Sequence, residues 1–421
     1  MTTRQFQFLC DLLEWNGLSQ SHWLLYKNDC RIKKVLEKYK SKKSHLSQEL
    51  KLLLKAVSLV RFKKIRKISG DFAGVHSKNQ HAALNHLNDR LDFQLVSFGF
   101  VNRNVNKLHL TPLSFFALLL FITKNFQILR GLTHKKYHYH QLKVLIYGLI
   151  LDDHVDFSNI KNVFVSNDHH PETRILLYFR KHNDFQLIYK QHAQVSIMFP
   201  PLDWDQAILD GAVAHEQYRI NGAIRSKVWI TGSDKTADLV TARRVFDHKK
   251  VGVAINSLDD LVPLAHYLHK IQTCYDIDRF LVRMHPALND HDYFSRSMLN
   301  SGTTVKFQLH TGDLVDYLSQ ISVCIAGSSS VLLEAAISKK LCVQHNFVPE
   351  DFIDYYKFEY MNAAISHVDF LNLGKVIPDW KYLIDFQTRN ARAFSASLGT
   401  DVEGKELNEF LISLSQTDRL T

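Results

Sequence analysis

Proline and glycine are scarce here, at 8 and 16 of 421 residues, which excludes collagen-like repeats, low-complexity tethers and long Pro-rich spacers. Cysteine is scarcer still. Cys10, Cys30, Cys274, Cys324 and Cys342 are odd in number and widely spaced, with no CxxC pair or finger-like Cys/His spacing. Neither a disulfide framework nor a structural zinc site is indicated, and a reducing compartment fits best. The most apolar run, Phe115 to Ile122, is closed by Lys124 and falls well short of the ~20 residues a spanning helix needs. No apolar stretch with a small-residue cleavage site follows Met1, so the expected location is cytoplasmic.

What is present is enough apolar material for a buried core: 46% hydrophobic against 22% charged residues, over a length that suits two or three domains. The net charge of +10 is local. From Lys27 to Lys67 there are 15 Lys or Arg against Asp29, Glu37 and Glu49, whereas the rest of the chain carries 37 basic and 39 acidic side chains. Mixed with Leu50–Leu54, Val57, Val60 and Phe62, this segment suits a surface that meets anionic lipid at the inner face of a membrane. A basic nucleic-acid-binding module is the alternative from another class, but no accompanying RNA- or DNA-binding signature is present.

Residues 1–70 have helical spacing, for instance Phe6, Leu9, Leu12 and Leu13. From about 92 onward, short apolar runs alternate with amphipathic helices, the pattern of βαβ units and parallel sheets. Strands are expected at 93–98, 143–149, 163–166, 186–190, 206–209 and 227–230. A second series is expected at 251–255, 279–284, 305–309, 323–326 and 341–343, with helices at 258–275 and 330–339. The boundary is expected near 235–248, with 234–250 a charged helix. The expected fold is α/β, two Rossmann-like domains facing across a cleft, with an N-terminal helical extension. The divisions are 1–70, 71–240, 241–375 and a C-terminal helical stretch, 376–421, packing back on the first domain.

Ligands of open parallel sheets bind beyond the carboxyl ends of the strands. Polar, titratable or glycine residues recur there: Asn167, Asp168, His169 and His170; Gln191 and His192; Asp210 and Gly211; Asn256; His285 and Pro286; and Gly327 to Ser330. Gly327 permits a tight turn, and Ser328, Ser329 and Ser330 can cap a helix or receive a phosphate at its start. Glu334, one turn on, can accept hydrogen bonds from ribose hydroxyls. Arg283 alternates with His285 on one strand face and can assist an anion. Two short acidic patterns, Asp203-x-Asp205 and Asp276-x-Asp278, match a metal-dependent sugar-transferase motif by chance frequency only. His134 and His138 have metal-like spacing but sit beside Lys135 and Lys136. Metal independence is expected.

Residues Arg283-x-His285-Pro286, the Ser328–Ser330 run and Glu334-Ala335, within about Val251 to Asn346, resemble the donor half of bacterial GT-B glycosyltransferases of surface-polysaccharide synthesis. Closest in type are enzymes using CMP-activated acidic sugars: sialyl-, polysialyl-, pseudaminyl- and Kdo-transferases. The resemblance implies a GT-B-like fold, an acceptor domain at 71–240 and a nucleotide-sugar domain at 241–375. It implies that His285, Ser329 and Ser330 hold the CMP phosphate and Glu334 the ribose, with a glycan or lipid-linked glycan as acceptor and no cofactor. The acidic pair that supplies the base in sialyltransferases is represented only by Leu209-Asp210-Gly211, where Leu replaces the first acid. Asp168, His192 and Asp210 are the candidates for base or acceptor positioning. Gln191-His192 resembles a motif also found in teichoic-acid glycerophosphotransferases. A CDP-glycerol-type transferase and a UDP-sugar 2-epimerase are the alternatives within this fold.

Overall fold

The computed structural model describes residues 3–14, 56–62, 65, 67–75, 77–97, 106–124, 135–197, 199–233, 246–256, 258–285, 288, 294–296, 300–373, 379–395 and 402–417. Most of the basic segment, residues 234–245 of the expected boundary helix, Pro286 and His134 lie outside the described residues.

The chain forms two compact units, one of residues 1–209 and 215–229 and the other of 210–214 and 230–421. The first is built on a seven-stranded sheet of β1 (Phe72–Val75), β2 (Gln94–Ser97), β3 (Asn106–Lys107), β4 (Asn162–Val165), β5 (Gln186–Lys190), β6 (Gln206–Leu209) and β7 (Lys227–Ile230). Its order is β3-β2-β1-β4-β5-β6-β7, and the registered pairs from β3 through β6 run parallel. The central strands are buried along their length, as parallel strands covered on both faces must be. Helix α1 (Thr3–Glu14) packs against α3 (Pro112–Lys124) and α4 (Lys135–His154). Gln141 Nε2 donates to the Leu12 carbonyl at 3.0 Å there. Helices α2 (Lys78–Leu91), α5 (Pro171–His182) and α6 (Ala212–Asn221) complete the crossovers.

The second sheet has six strands: β8 (Val251–Ile255), β9 (Phe280–Met284), β10 (Phe307–His310), β11 (Val323–Ala326), β12 (Leu341–Gln344) and β13 (Ile365–Ser366). Its order is β10-β9-β8-β11-β12-β13, parallel throughout. Its helices are α7 (Leu261–Cys274), α8 (Leu314–Gln320), α9 (Val331–Ile337), α10 (His367–Leu373), α11 (Trp380–Ala391) and α12 (Val402–Thr417). The apolar stripe of α7, including Leu261, Leu264, Leu268 and Ile271, joins Val253, Val282 and Ile325 of the sheet in one core. Helix α11 lies on α9 and β12. Its Gln387 pairs with both backbone groups of Cys342 (2.9 and 2.8 Å), and Thr388 donates to the Ala336 carbonyl. Both sheets are therefore doubly wound and Rossmann-like, each reversing direction between its first and fourth strands in chain order.

One expected strand is helix. Residues 143–149 lie inside α4, where Val144 to Ile150 are all buried. A helix enclosed on every side has no polar stripe, so its sequence is indistinguishable from a buried strand by periodicity.

Candidate functional site

In the second unit the direction of the sheet reverses between β8 and β11, and the residues that leave these strands are linked. After Ile255 the chain turns tightly. Asn256 N–H donates to Asp259 Oδ2 at 2.7 Å, and Asn256 Oδ1 accepts from Leu258 N–H at 2.7 Å. Asn256 Nδ2 then reaches the Ser328 carbonyl at 3.4 Å, bridging the two strand ends. On the neighbouring strand, His285 N–H donates to the Ile255 carbonyl at 2.8 Å, placing its exposed imidazole at the same sheet edge. Partial burial of the ring and the charge of Arg283 both hold the His285 pKa below its ordinary value, which favours the neutral imidazole. Arg283 is occupied in part by the Gly312 carbonyl, 2.6 Å away.

Gly327 is required by close approach. A Cβ there would lie 2.6 Å from Asp259 Oδ1 and 2.9 Å from His345 Cε1. Beyond it, Ser328 Oγ donates to the Phe352 carbonyl, and Ser329 Oγ accepts weakly from Val331 N–H at 3.4 Å. Ser330 has helical backbone angles and makes no side-chain capping bond, so its hydroxyl is not used as a cap. The helix behind it, α9, is only seven residues long, and its dipole contribution is correspondingly small. Glu334 is half-buried one turn into that helix.

Sequence reasoning passed over Asp259 and His345. Both side chains are fully buried, with His345 Nε2 3.9 Å from Asp259 Oδ1, too far for a hydrogen bond. Burial drives both toward neutral forms. It raises Asp259 to about 7 against the opposing Asn256 N–H, and it lowers His345 to about 3 with help from the charge of His367. Between about pH 3 and 7 the contact is therefore a packed neutral pair rather than an ion pair. His345 directly follows β12, so the strand-end rule that found His285 also reaches it.

The first unit has a second polar cluster beyond β4, again at the reversal point of its sheet. Asn167 Oδ1 accepts from the His169 and His170 amides (3.1 and 2.8 Å), folding the loop back. Asp168 is buried, and accepts from Tyr218 Oη at 2.5 Å and His169 Nδ1 at 2.8 Å. Burial pushes its pKa up, but the His169 hydrogen bond and charge, the Tyr218 hydroxyl and the nearby His192 outweigh this, leaving it below the ordinary carboxylate value. Asp168 is thus an anion suited to orienting an imidazole, and a weak proton acceptor itself. Half-buried His192 follows β5, where Gln191 N–H donates to the Ile208 carbonyl at 2.9 Å. Asp210 is buried at the end of β6 and belongs to the second compact unit. A Cβ on Gly211 would lie 2.4 Å from the Phe394 backbone, and Val213 N–H donates to the Ala393 carbonyl.

The acidic pairs have other partners. Arg174, completely buried, binds Asp203 through two hydrogen bonds (2.8 and 2.9 Å), and Arg180 binds Asp205 at 2.9 Å. Asp276 pairs with Lys249 and Asp278 with Arg279. Both patterns precede their strands, at the end of each sheet opposite the polar clusters. A concavity of about 510 Å³ lies at that same end of the second sheet, lined by these Lys249 and Asp276 side chains among others, and is remote from the β8/β11 reversal point. Among the described residues no group of three or more His, Cys, Asp or Glu is placed to hold a metal ion, and no helix is long and apolar enough to cross a membrane.

Two doubly wound Rossmann-like units with polar clusters at their strand reversals define an α/β protein of the GT-B-like architecture. No protein-family model matches the sequence, and no curated protein matches it. Among solved structures, a Listeria monocytogenes protein assigned as a UDP-N-acetylglucosamine 2-epimerase is similar at a TM-score of 0.52 and 11% identity, over 85% of this chain and 98% of that one. A glycosyltransferase from Rickettsia africae aligns at 0.45 and 10% identity, over 83% and 99%. A variant of TarM from Staphylococcus aureus, in complex with fondaparinux, α-GlcNAc-glycerol and UDP, aligns at 0.42 and 11% identity, over 64% of this chain and 58% of that one. At these identities the likeness shows the fold alone.

Proposed function

We propose that this protein is a glycosyltransferase that takes an acidic nine-carbon sugar, of sialic or pseudaminic type, from a CMP-sugar and passes it to a surface-glycan or lipid-linked acceptor. The observation that carries the reading is the meeting of Asn256, His285 and Gly327–Ser330 at the β8/β11 reversal point of the second sheet, where a doubly wound sheet receives a nucleotide. In this role neutral His285 donates one hydrogen bond to the leaving phosphate, and Ser329 and Ser330 donate others as negative charge develops there. Glu334 takes the ribose hydroxyls. The CMP preference rests on the resemblance of Arg283-x-His285-Pro286 and Ser328–Ser330 to the CMP-sugar enzymes.

On the first unit, the Asp168 anion orients His169, and His192 lies within its field. An imidazole so placed is a better proton acceptor for a sugar hydroxyl than Asp168 or the buried Asp210. Stabilisation of the developing charge by hydrogen-bond donors takes the place of a divalent cation. A thermal-shift panel of CMP, CDP, UDP and GDP tests the donor assignment through linkage. Selective stabilisation by CMP is expected. Selective stabilisation by UDP would contradict the CMP assignment and favour the UDP-sugar alternatives.

A further inference from the structure

Helix α3, Pro112–Lys124, reads PLSFFALLLFITK and is apolar all round, a composition that ordinarily marks a helix enclosed by protein. Only one side is enclosed. Ser114, Ala117, Leu118 and Phe121 are buried toward α1 and α4. The opposite arc carries Leu113 (56% exposed), Phe116 (65%), Leu119 and Leu120, all open to solvent. Thr123 on that arc turns its hydroxyl to the Leu120 carbonyl at 2.9 Å, so its hydrogen-bonding proton is satisfied internally. Just before this helix, Leu110 forms a parallel bridge with Val60, and Arg61 N–H donates to the Leu110 carbonyl at 3.0 Å. The bridge brings Phe62, 91% exposed, to the start of α3. Exposed apolar side chains gathered in this way are uncommon on a monomer surface and mark an interaction site.

The charge around the patch identifies the partner. No acidic residue occurs between Glu49 and Asp71, nor between Asp92 and Asp152, and each stretch contains seven Lys or Arg. These are the two stretches that meet at the Val60–Leu110 bridge. Among the cations, Arg61 and Lys124 are exposed. An apolar centre flanked by exposed Arg61 and Lys124, with Asp153 at its start half-buried and accepting from Thr111 Oγ1 at 2.9 Å, matches a bilayer, whose acyl region takes the Leu and Phe side chains and whose anionic headgroups take the cations. A second copy of this chain is a poor occupant, because a two-fold contact would bring like charges together. Nucleic acid is also a poor occupant, because the patch is mainly aliphatic and offers few rings for base stacking.

We infer that the outer face of α3, together with Phe62, docks the first unit onto an anionic membrane surface. Sedimentation with vesicles of phosphatidylglycerol and phosphatidylcholine, in the absence of any sugar donor, tests this independently of the transferase reading. Wild-type protein should bind these vesicles and not pure phosphatidylcholine. The double variant Phe62→Ser/Phe116→Ser keeps every charge and should partition at least tenfold more weakly. A Phe116→Trp variant gives a second readout: its added emission should shift to the blue and be quenched by brominated acyl chains. Undiminished binding by the double serine variant would overturn the inference, as would added indole emission that stays unshifted and unquenched when the Phe116→Trp protein is bound. So would binding to single-stranded RNA that displaces the vesicles.

Discussion

Asp259 and His345 show how burial can dominate the charge of a site. An acid whose pKa rises from 3.8 to about 7 on folding binds its proton more tightly when folded, so its contribution to stability falls as pH climbs through that window. A histidine whose pKa drops from 6.5 to about 3 behaves oppositely, adding stability as pH climbs from 3 to 6.5. Between about pH 4 and 6.5 the two slopes cancel. Asp259→Asn should therefore unmask stability that rises with pH, by at most about 1.4 kcal/mol per unit, and His345→Asn a fall of similar size. Urea denaturation across pH 4 to 6.5 reads both, and parallel profiles for the two variants would refute the packed neutral pair. His285 lies on the open side of the same site. Its replacement by Ala should lower turnover by on the order of 10²-fold, as loss of one preorganised donor does, with a melting temperature close to wild type because the ring is exposed. Turnover near the wild-type value would remove His285 from the chemistry.

Among the elements, legibility followed environment. The strands β5, β6, β8 and β11 were readable because each is a short apolar run ended by a polar turn, buried on both faces. Four-residue β1, Phe-Ala-Gly-Val, was not: it is short and contains a glycine, so the Ser69-Gly70-Asp71 turn before it has no recognisable apolar run to bound. Two-residue β3 and β13 carry no pattern at all. The strand-end rule located His285, Asp168 and Gly327–Ser330, whereas Asp259 stayed hidden because it looks like an ordinary capping acid beside Asp260, the residue that does cap α7. The same distinction governs the acidic pairs before β6. Asp203 neutralises an Arg174 that has no exposure, so Asp203→Ala should destabilise the fold by about 3–5 kcal/mol, the usual result of stranding a buried charge. Transfer activity should survive EDTA. Full loss with EDTA and recovery with Mn²⁺ would contradict this and assign the pair a metal instead.

At the scale of the whole molecule, each unit repeats one device: a parallel sheet that reverses direction, with a polar cluster where it does so. The first cluster holds an imidazole bonded to the Asp168 anion, and the second brings Asn256 and His285 to the turn at Gly327 and Ser328. Under the proposed transferase reading, the first cluster would activate a hydroxyl and the second would stabilise a departing phosphate. A UDP-sugar 2-epimerase would use the same fold without an acceptor, so acceptor dependence separates the two chemistries. The most direct measurement is therefore release of CMP from a CMP-nonulosonic acid, with and without a lipid-linked or capsular glycan acceptor, followed by mass spectrometry of the glycan. CMP release should rise with acceptor, and the glycan should become heavier by one acidic sugar. Conversion of a UDP-sugar to its epimer without acceptor, and no mass added to any glycan, would contradict it.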